Sequence, residues 1–180
     1  DLKQIQKLTG RVAALSRFIS RLGEKALPLY RLLPRTEHFE WTDAATTGLD
    51  EIKAILATNP VLAVPNIGEP MLLYIVATHQ VVSAVLVVER EADGHRSPLQ
   101  KPVYYVSTVL TPCKSRYPHY QNIAHTVFMA SQKLRHYFQE CSITVASEVP
   151  LNDIINNRDA TGRIAKWAIE LLPFGITYKP

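Results

Sequence analysis

This 180-residue sequence is short of cysteine, of long apolar runs and, over its first 35 positions, of acidic residues. The two cysteines, Cys113 and Cys141, form no C-x-x-C pair and no metal-ligand spacing. That excludes a disulfide-stapled scaffold and a cysteine zinc site, and points to a reducing compartment in which the thiols pack. We therefore expect an intracellular protein, cytoplasmic or nuclear. No apolar stretch approaches the roughly 20 residues needed to span a bilayer, and no signal peptide opens the chain, so no membrane partner is expected. The first residue is Asp1 rather than Met, which reads as a piece of a longer chain.

The shortage of acid has a sharper consequence. Residues 1–35 hold eight Lys or Arg against Asp1 and Glu24, a charge of +6, while the remainder carries −2. A basic segment on a near-neutral body suggests contact with a phosphate backbone; a solvated helix face is the bland alternative.

That segment has helical periodicity. Ile5, Leu8, Val12, Leu15, Ile19 and Leu22 recur at spacings of three and four, while Lys3, Lys7, Arg11, Arg17 and Arg21 fall on the other side. Gly23 reads as a stop and Pro28 as the start or kink of a second short helix. A further helix is predicted after Thr42 or Asp43 as cap, burying Leu49, Ile52, Ile55 and Leu56 and ending before Asn59-Pro60. From about Pro65 the pattern becomes strand-like. "EPMLLYIV", "VVSAVLVVE" and "KPVYYVSTVL" are broken by "ATHQ" and "READGHRSPLQ", which predicts an antiparallel meander. One long helix follows, with Ile123, Val127, Ala130, Leu134 and Phe138 on its buried face. Then come the strand "SITVAS", the helices "LNDIINN" and "GRIAKWAIELL", and the strand "GITYKP". The order is an α/β arrangement of the ribonuclease H type: a three-strand antiparallel meander plus further strands in one mixed sheet, flanked by helices.

Four ordered motifs add a resemblance. "IQKLTGRVAALSRFIS" looks like a thumb helix, and "FEWTDAATTGLDEIKAILATNPVLAVPN" like the bridge that leads out of it. "PVYYVSTVLTPCKSRYPHYQ" and "GRIAKWAIELLPFGITYKP" are similar to later signatures of the same region. Together they resemble the thumb and RNase H-like region of reverse transcriptases from gypsy-type LTR retrotransposons, plant elements in particular. The resemblance implies two parts: a helical thumb segment and bridge over 1–64, and an RNase H-like domain over 65–180, truncated at its C-terminus.

It also implies where catalytic carboxylates would sit. RNase H cleavage uses two divalent ions held by acids, and magnesium demands hard oxygen ligands. Carried over by motif, the first acid position is Val76. The two helix glutamates become Gln121 and Ile123, and the strand-end aspartate becomes Glu148. A fourth falls beyond Pro180. One carboxylate of three remains, so no metal cofactor is expected unless residual nuclease activity brings Mg²⁺, and no Tyr-x-Asp-Asp polymerase motif occurs. The resemblance implies a connection-type domain that has lost its chemistry. Its partners would be an RNA–DNA hybrid or other nucleic-acid backbone, held through Lys3, Lys7, Arg11, Arg17 and Arg21, and other domains of the polyprotein. The alternatives are a domain reused for docking a protein partner or for self-association, and a working nuclease that depends on Glu148.

Other residues take the blander reading. Glu148 is expected at a solvent-facing strand end. His119, His125 and His136 lack the i, i+4 spacing of a helical zinc site. Tyr104, Tyr105, Tyr117 and Tyr120 are expected to pack in alternation rather than stack on bases, and Trp167 is expected to anchor the core.

Overall fold

The computed structural model describes residues 2–33, 40–58, 60–91, 94, 96–157 and 159–179. Three helices come first: α1 (Leu2–Ala14), α2 (Leu22–Tyr30) and α3 (Asp43–Ala57). Three strands follow, β1 (Met71–Ala77), β2 (Val81–Arg90) and β3 (Leu99–Val109). Then come α4 (His119–Lys133), α5 (Arg135–Glu140), β4 (Ile143–Ala146), α6 (Leu151–Ile155), α7 (Gly162–Leu171) and β5 (Thr177–Lys179). No helix among the described residues is long and apolar enough to cross a membrane.

The strands form one mixed sheet in the order β3-β2-β1-β4-β5. The meander is antiparallel, as its sequence predicts, and β4 joins β1 in parallel with Met71 opposite Ile143. The "ATHQ" break closes the first hairpin because Thr78 folds over it: its hydroxyl accepts from the Gln80 and Val81 N–H groups at 3.3 and 3.0 Å. β2 is buried on both faces. Leu73, Val82, Leu86 and Val88 pack toward α4, whose Ile123, Val127 and Ala130 are fully buried, together with Phe138 of α5 and Trp167 of α7. Burial of each such aliphatic side chain contributes about 1.5–3 kcal/mol.

A second core unites the first three helices through Ile5, Val12, Ile19, Leu22, Ala26, Leu29, Ala45 and Ile52. Thr42 caps α3, its side chain accepting from the Ala45 N–H at 3.2 Å.

Two helices differ from their sequence pattern. The first does not run to Leu22: α1 ends at Ala14, a 3₁₀ turn spans Ser16–Phe18, and Arg21 takes a left-handed backbone at φ 53° before α2 starts. Gly23 is no stop; it lies in the first turn of α2, pressed against the sheet. There its N–H donates to the Ser107 hydroxyl at 2.8 Å, and Ser107 in turn meets the Ser83 hydroxyl at 2.8 Å. A methyl group on Gly23 would come within 2.6 Å of Val81 Cγ1. The long helix also divides, at Leu134 (φ −113°, ψ 30°), into α4 and α5. Cys141 packs against the sheet core as expected, whereas Cys113 is exposed.

Candidate nucleic-acid interface

The five basic residues do not share one helix face. Lys3, Lys7 and Arg11 stand on the solvent side of α1, opposite the buried Ile5, Thr9 and Val12. Lys7 and Arg11 are one turn apart, so α1 presents a short cationic ridge. Arg17 and Arg21 lie past the end of α1 and help fix the joint between the helices and the sheet. The Arg17 guanidinium sits 5.2 Å from the ring centres of both Phe18 and Tyr104, a cation–π contact that ties the 3₁₀ turn to β3. Arg21 pairs with Glu24 at 2.5 Å, an acid placed in the first turn of α2 where the helix dipole favours it. Below the joint a cleft of about 420 Å³ opens between Ala13, Gly23, Tyr30, Ser107 and Lys133.

Of the acid positions that the resemblance implies, Val76 lies in β1, Gln121 and Ile123 in α4, and Glu148 just past the end of β4. β1 and β4 run parallel as far as the pair Tyr74 and Ala146; Val76 follows two residues later within β1, and Glu148 two residues later in the bend after β4. Val76 is 46% exposed and carries no donor oxygen. Gln121 is half-buried in the first turn of α4, and Ile123 is sealed in the core at 1% exposure. Glu148 is exposed, as expected, but it is not free: His119 Nε2 lies 2.9 Å from Glu148 Oε1. Among the described residues no three His, Cys, Asp or Glu side chains converge as a metal site. A methyl-bearing, a core-buried and an amide side chain with one carboxylate in contact with a histidine do not fit a two-magnesium centre, whose ions need several hard anionic oxygens.

The remaining candidates behave as packing groups. Trp167, 8% exposed, gathers Tyr117, Phe128 and His125 with ring centres at 6.3, 6.0 and 5.4 Å. His125 is 4% exposed, and its Nε2 lies 3.0 Å from Lys114 Nζ. Burial first, and the Lys114 charge second, push its pKa down to about 4, so the ring is neutral and accepts from the ammonium. Tyr104 and Tyr117 pack partly against the core while Tyr120 is 41% exposed. Sequence reasoning missed the His119–Glu148 pair, since 29 residues separate its members and no local pattern joins them.

Residues 41–145 match the model of the RNase H-like domain found in reverse transcriptase. The chain belongs to that family. The Transposon Tf2-3 and Tf2-4 polyproteins of Schizosaccharomyces pombe are each 25% identical to this chain over 191 residues, covering 99% of it. The chain spans only 14% of the length of these relatives. Solved structures share its fold. The foamy viral protease–reverse transcriptase in complex with an RNA/DNA hybrid superposes with a TM-score of 0.72 at 21% identity, over 98% of this chain and 24% of that one. A second foamy viral protease–reverse transcriptase structure, with double-stranded DNA, gives 0.73 at 22% identity over 98% and 31%. The mixed five-stranded sheet flanked by helices is therefore the RNase H-like fold.

Proposed function

We propose that this domain is the thumb-and-connection segment of a polyprotein from a gypsy-type LTR retrotransposon of the plant kind, and that it holds template–primer without cutting it. In that role it acts inside the cell, with α1 laid along the phosphate backbone and the RNase H-like sheet as a rigid support. One observation supports the non-catalytic reading: at the position to which the family's motif carries its first metal-binding acid, the residue is Val76, whose side chain has no oxygen. The paired state of Glu148 and the buried state of Ile123 agree with it. The basic ridge of Lys3, Lys7 and Arg11 supports the nucleic-acid role. So do the foamy viral relatives, which have been solved with an RNA/DNA hybrid and with double-stranded DNA.

The test is titration of a labelled RNA–DNA hybrid at two salt concentrations, with and without Mg²⁺, followed by gel analysis of the same samples. Salt-sensitive binding with an intact RNA strand is the expected result. Mg²⁺-dependent cutting that Glu148→Gln abolishes would overturn the non-catalytic reading, and absence of binding at low salt would overturn the template–primer role.

A further inference from the structure

The cleft of about 420 Å³ below the joint collects polar side chains from four separate elements. Ser16 comes from the 3₁₀ turn, Tyr30 from the end of α2, Thr108 from β3 and Lys133 from the end of α4. Among the described residues no acid lines it. Glu24, next to Gly23 in the chain, is held by Arg21.

Lys133 is the group that calls for a partner. A lysine in the last turn of a helix is favoured by the helix dipole and by itself points to no ligand. This one is an exposed residue, reachable from solvent, whose ammonium rests against the cleft wall and donates to the Thr108 hydroxyl at 3.0 Å. That hydroxyl turns in its own right to the Met129 sulfur, at 3.8 Å. An ammonium carries three N–H donors, and no carboxylate among the described residues forms an ion pair with it. Burial alone pushes the Lys133 pKa below the usual lysine range, as for a charge that loses water without gaining a counter-charge. Tyr30, half-buried at the same cleft, has its pKa raised by burial, so its hydroxyl keeps its proton and can donate.

We infer that this cleft seats a phosphate of the nucleic-acid backbone, held by the Lys133 ammonium and the Tyr30 hydroxyl. The inference deepens the template–primer reading and rests on it. Placement agrees with chemistry. Ala13 and Ser16 line the cleft where α1 ends, so it follows directly on the ridge of Lys7 and Arg11. Ala13 is six residues beyond Lys7, about 9 Å along the helix axis, and one nucleic-acid strand rises by on the order of three phosphates over that length. A backbone laid on the ridge therefore reaches the cleft without a break. An acidic side chain of a protein partner would satisfy Lys133 as well, but the repeated charges leading up to it favour a polymer of phosphates.

The experiment compares Lys133→Gln, Lys133→Arg and Tyr30→Phe in the 180-residue chain, with Lys166→Gln, an exposed lysine of α7, as the control. Binding of a labelled RNA–DNA hybrid is followed by fluorescence anisotropy over a salt series. Lys133→Gln should flatten the dependence of log K on log salt by about one unit, and Lys133→Arg should keep the slope. Tyr30→Phe should weaken binding about threefold at an unchanged slope, because it removes a neutral donor. Lys166→Gln should change neither quantity. In parallel, reductive ¹³C-methylation of the wild-type lysines gives a Lys133 resonance, assigned by its loss in Lys133→Arg, which saturating hybrid should shift. This second readout stands even where a variant melts early. A slope for Lys133→Gln equal to that of the wild type, or a Lys133 resonance unmoved by bound hybrid, would overturn the cleft site while leaving the template–primer role intact. A resonance moved by millimolar inorganic phosphate but not by the hybrid would also overturn it, in favour of a free-anion site. Absence of hybrid binding at low salt would overturn both readings.

Discussion

The His119 imidazole and the Glu148 carboxylate meet at 2.9 Å, joining the start of α4 to the bend that follows β4. Both side chains are well exposed, at 53% and 71%, so the contact adds no more than about 1 kcal/mol. Glu148→Gln and His119→Ala should each shift stability by less than that in urea unfolding. Neither should create or remove Mg²⁺-dependent cleavage of a hybrid. A Mg²⁺-induced rise in melting temperature that Glu148→Gln cancels would contradict this.

The cationic residues separate into two classes. Lys7→Ala and Arg11→Ala should weaken hybrid binding evenly across sequences, each flattening the dependence of log K on log salt by about one unit, with no loss of stability. Arg17→Ala removes the contact with Tyr104, and Arg21→Ala the pair with Glu24. These two should lower the melting temperature first. Fluorescence anisotropy over a salt series, beside thermal melts, separates the classes.

Gly23 is where the helices grip the sheet. Gly23→Ala places a methyl 2.6 Å from Val81 Cγ1 and 2.7 Å from Ser107 Oγ, and should cost about 1–3 kcal/mol by overpacking. Ser107→Ala leaves the Gly23 N–H without its acceptor and should cost about 1–3 kcal/mol. The two losses should not add in a double mutant, because they share one contact. Full additivity in urea titrations would show that Gly23 and Ser107 are not coupled.

His125 gives the fold a sensitivity to acid. Its folded pKa of about 4 lies below the ordinary value of 6.5, so the unfolded chain takes up the proton first as pH falls. The stability it contributes is complete above pH 6.5 and is lost as pH drops toward 4, on the order of 1–2 kcal/mol. His125→Phe keeps the packing against Trp167 and should flatten the pH dependence of the melting temperature across that window. An unchanged slope would refute the assignment.

The elements of the fold were legible because apolar spacing survives changes in backbone path. Ile19 and Leu22 continue the stripe begun by Ile5 and Val12, and all four are buried. The periodicity could not reveal that the helix breaks between them. That break answers a tertiary demand, the seating of Gly23 against β2 and β3, which overrides local propensity. Leu134 and Phe138 likewise reached the core although the helix divides at Leu134. Of the site, the aliphatic character of Val76 and Ile123 was readable directly, since it is a property of residue type. The partner of Glu148 and the meeting of Lys133 with Thr108 were not. Each depends on a contact between remote segments.

The parallel pairing of β1 with β4 has a consequence for synthesis. β1 meets β2 across a short hairpin, but its other neighbour lies more than 70 residues further along the chain. A growing polypeptide that has emerged only as far as β3 therefore holds half a sheet, with one edge of its central strand unpaired. Such edges invite pairing with other chains. The ribosome must deliver α4, α5 and β4 before that edge can close, so folding of this region is timed by its topology and a pause in translation just upstream of Ile143 would leave the nascent chain most open to aggregation.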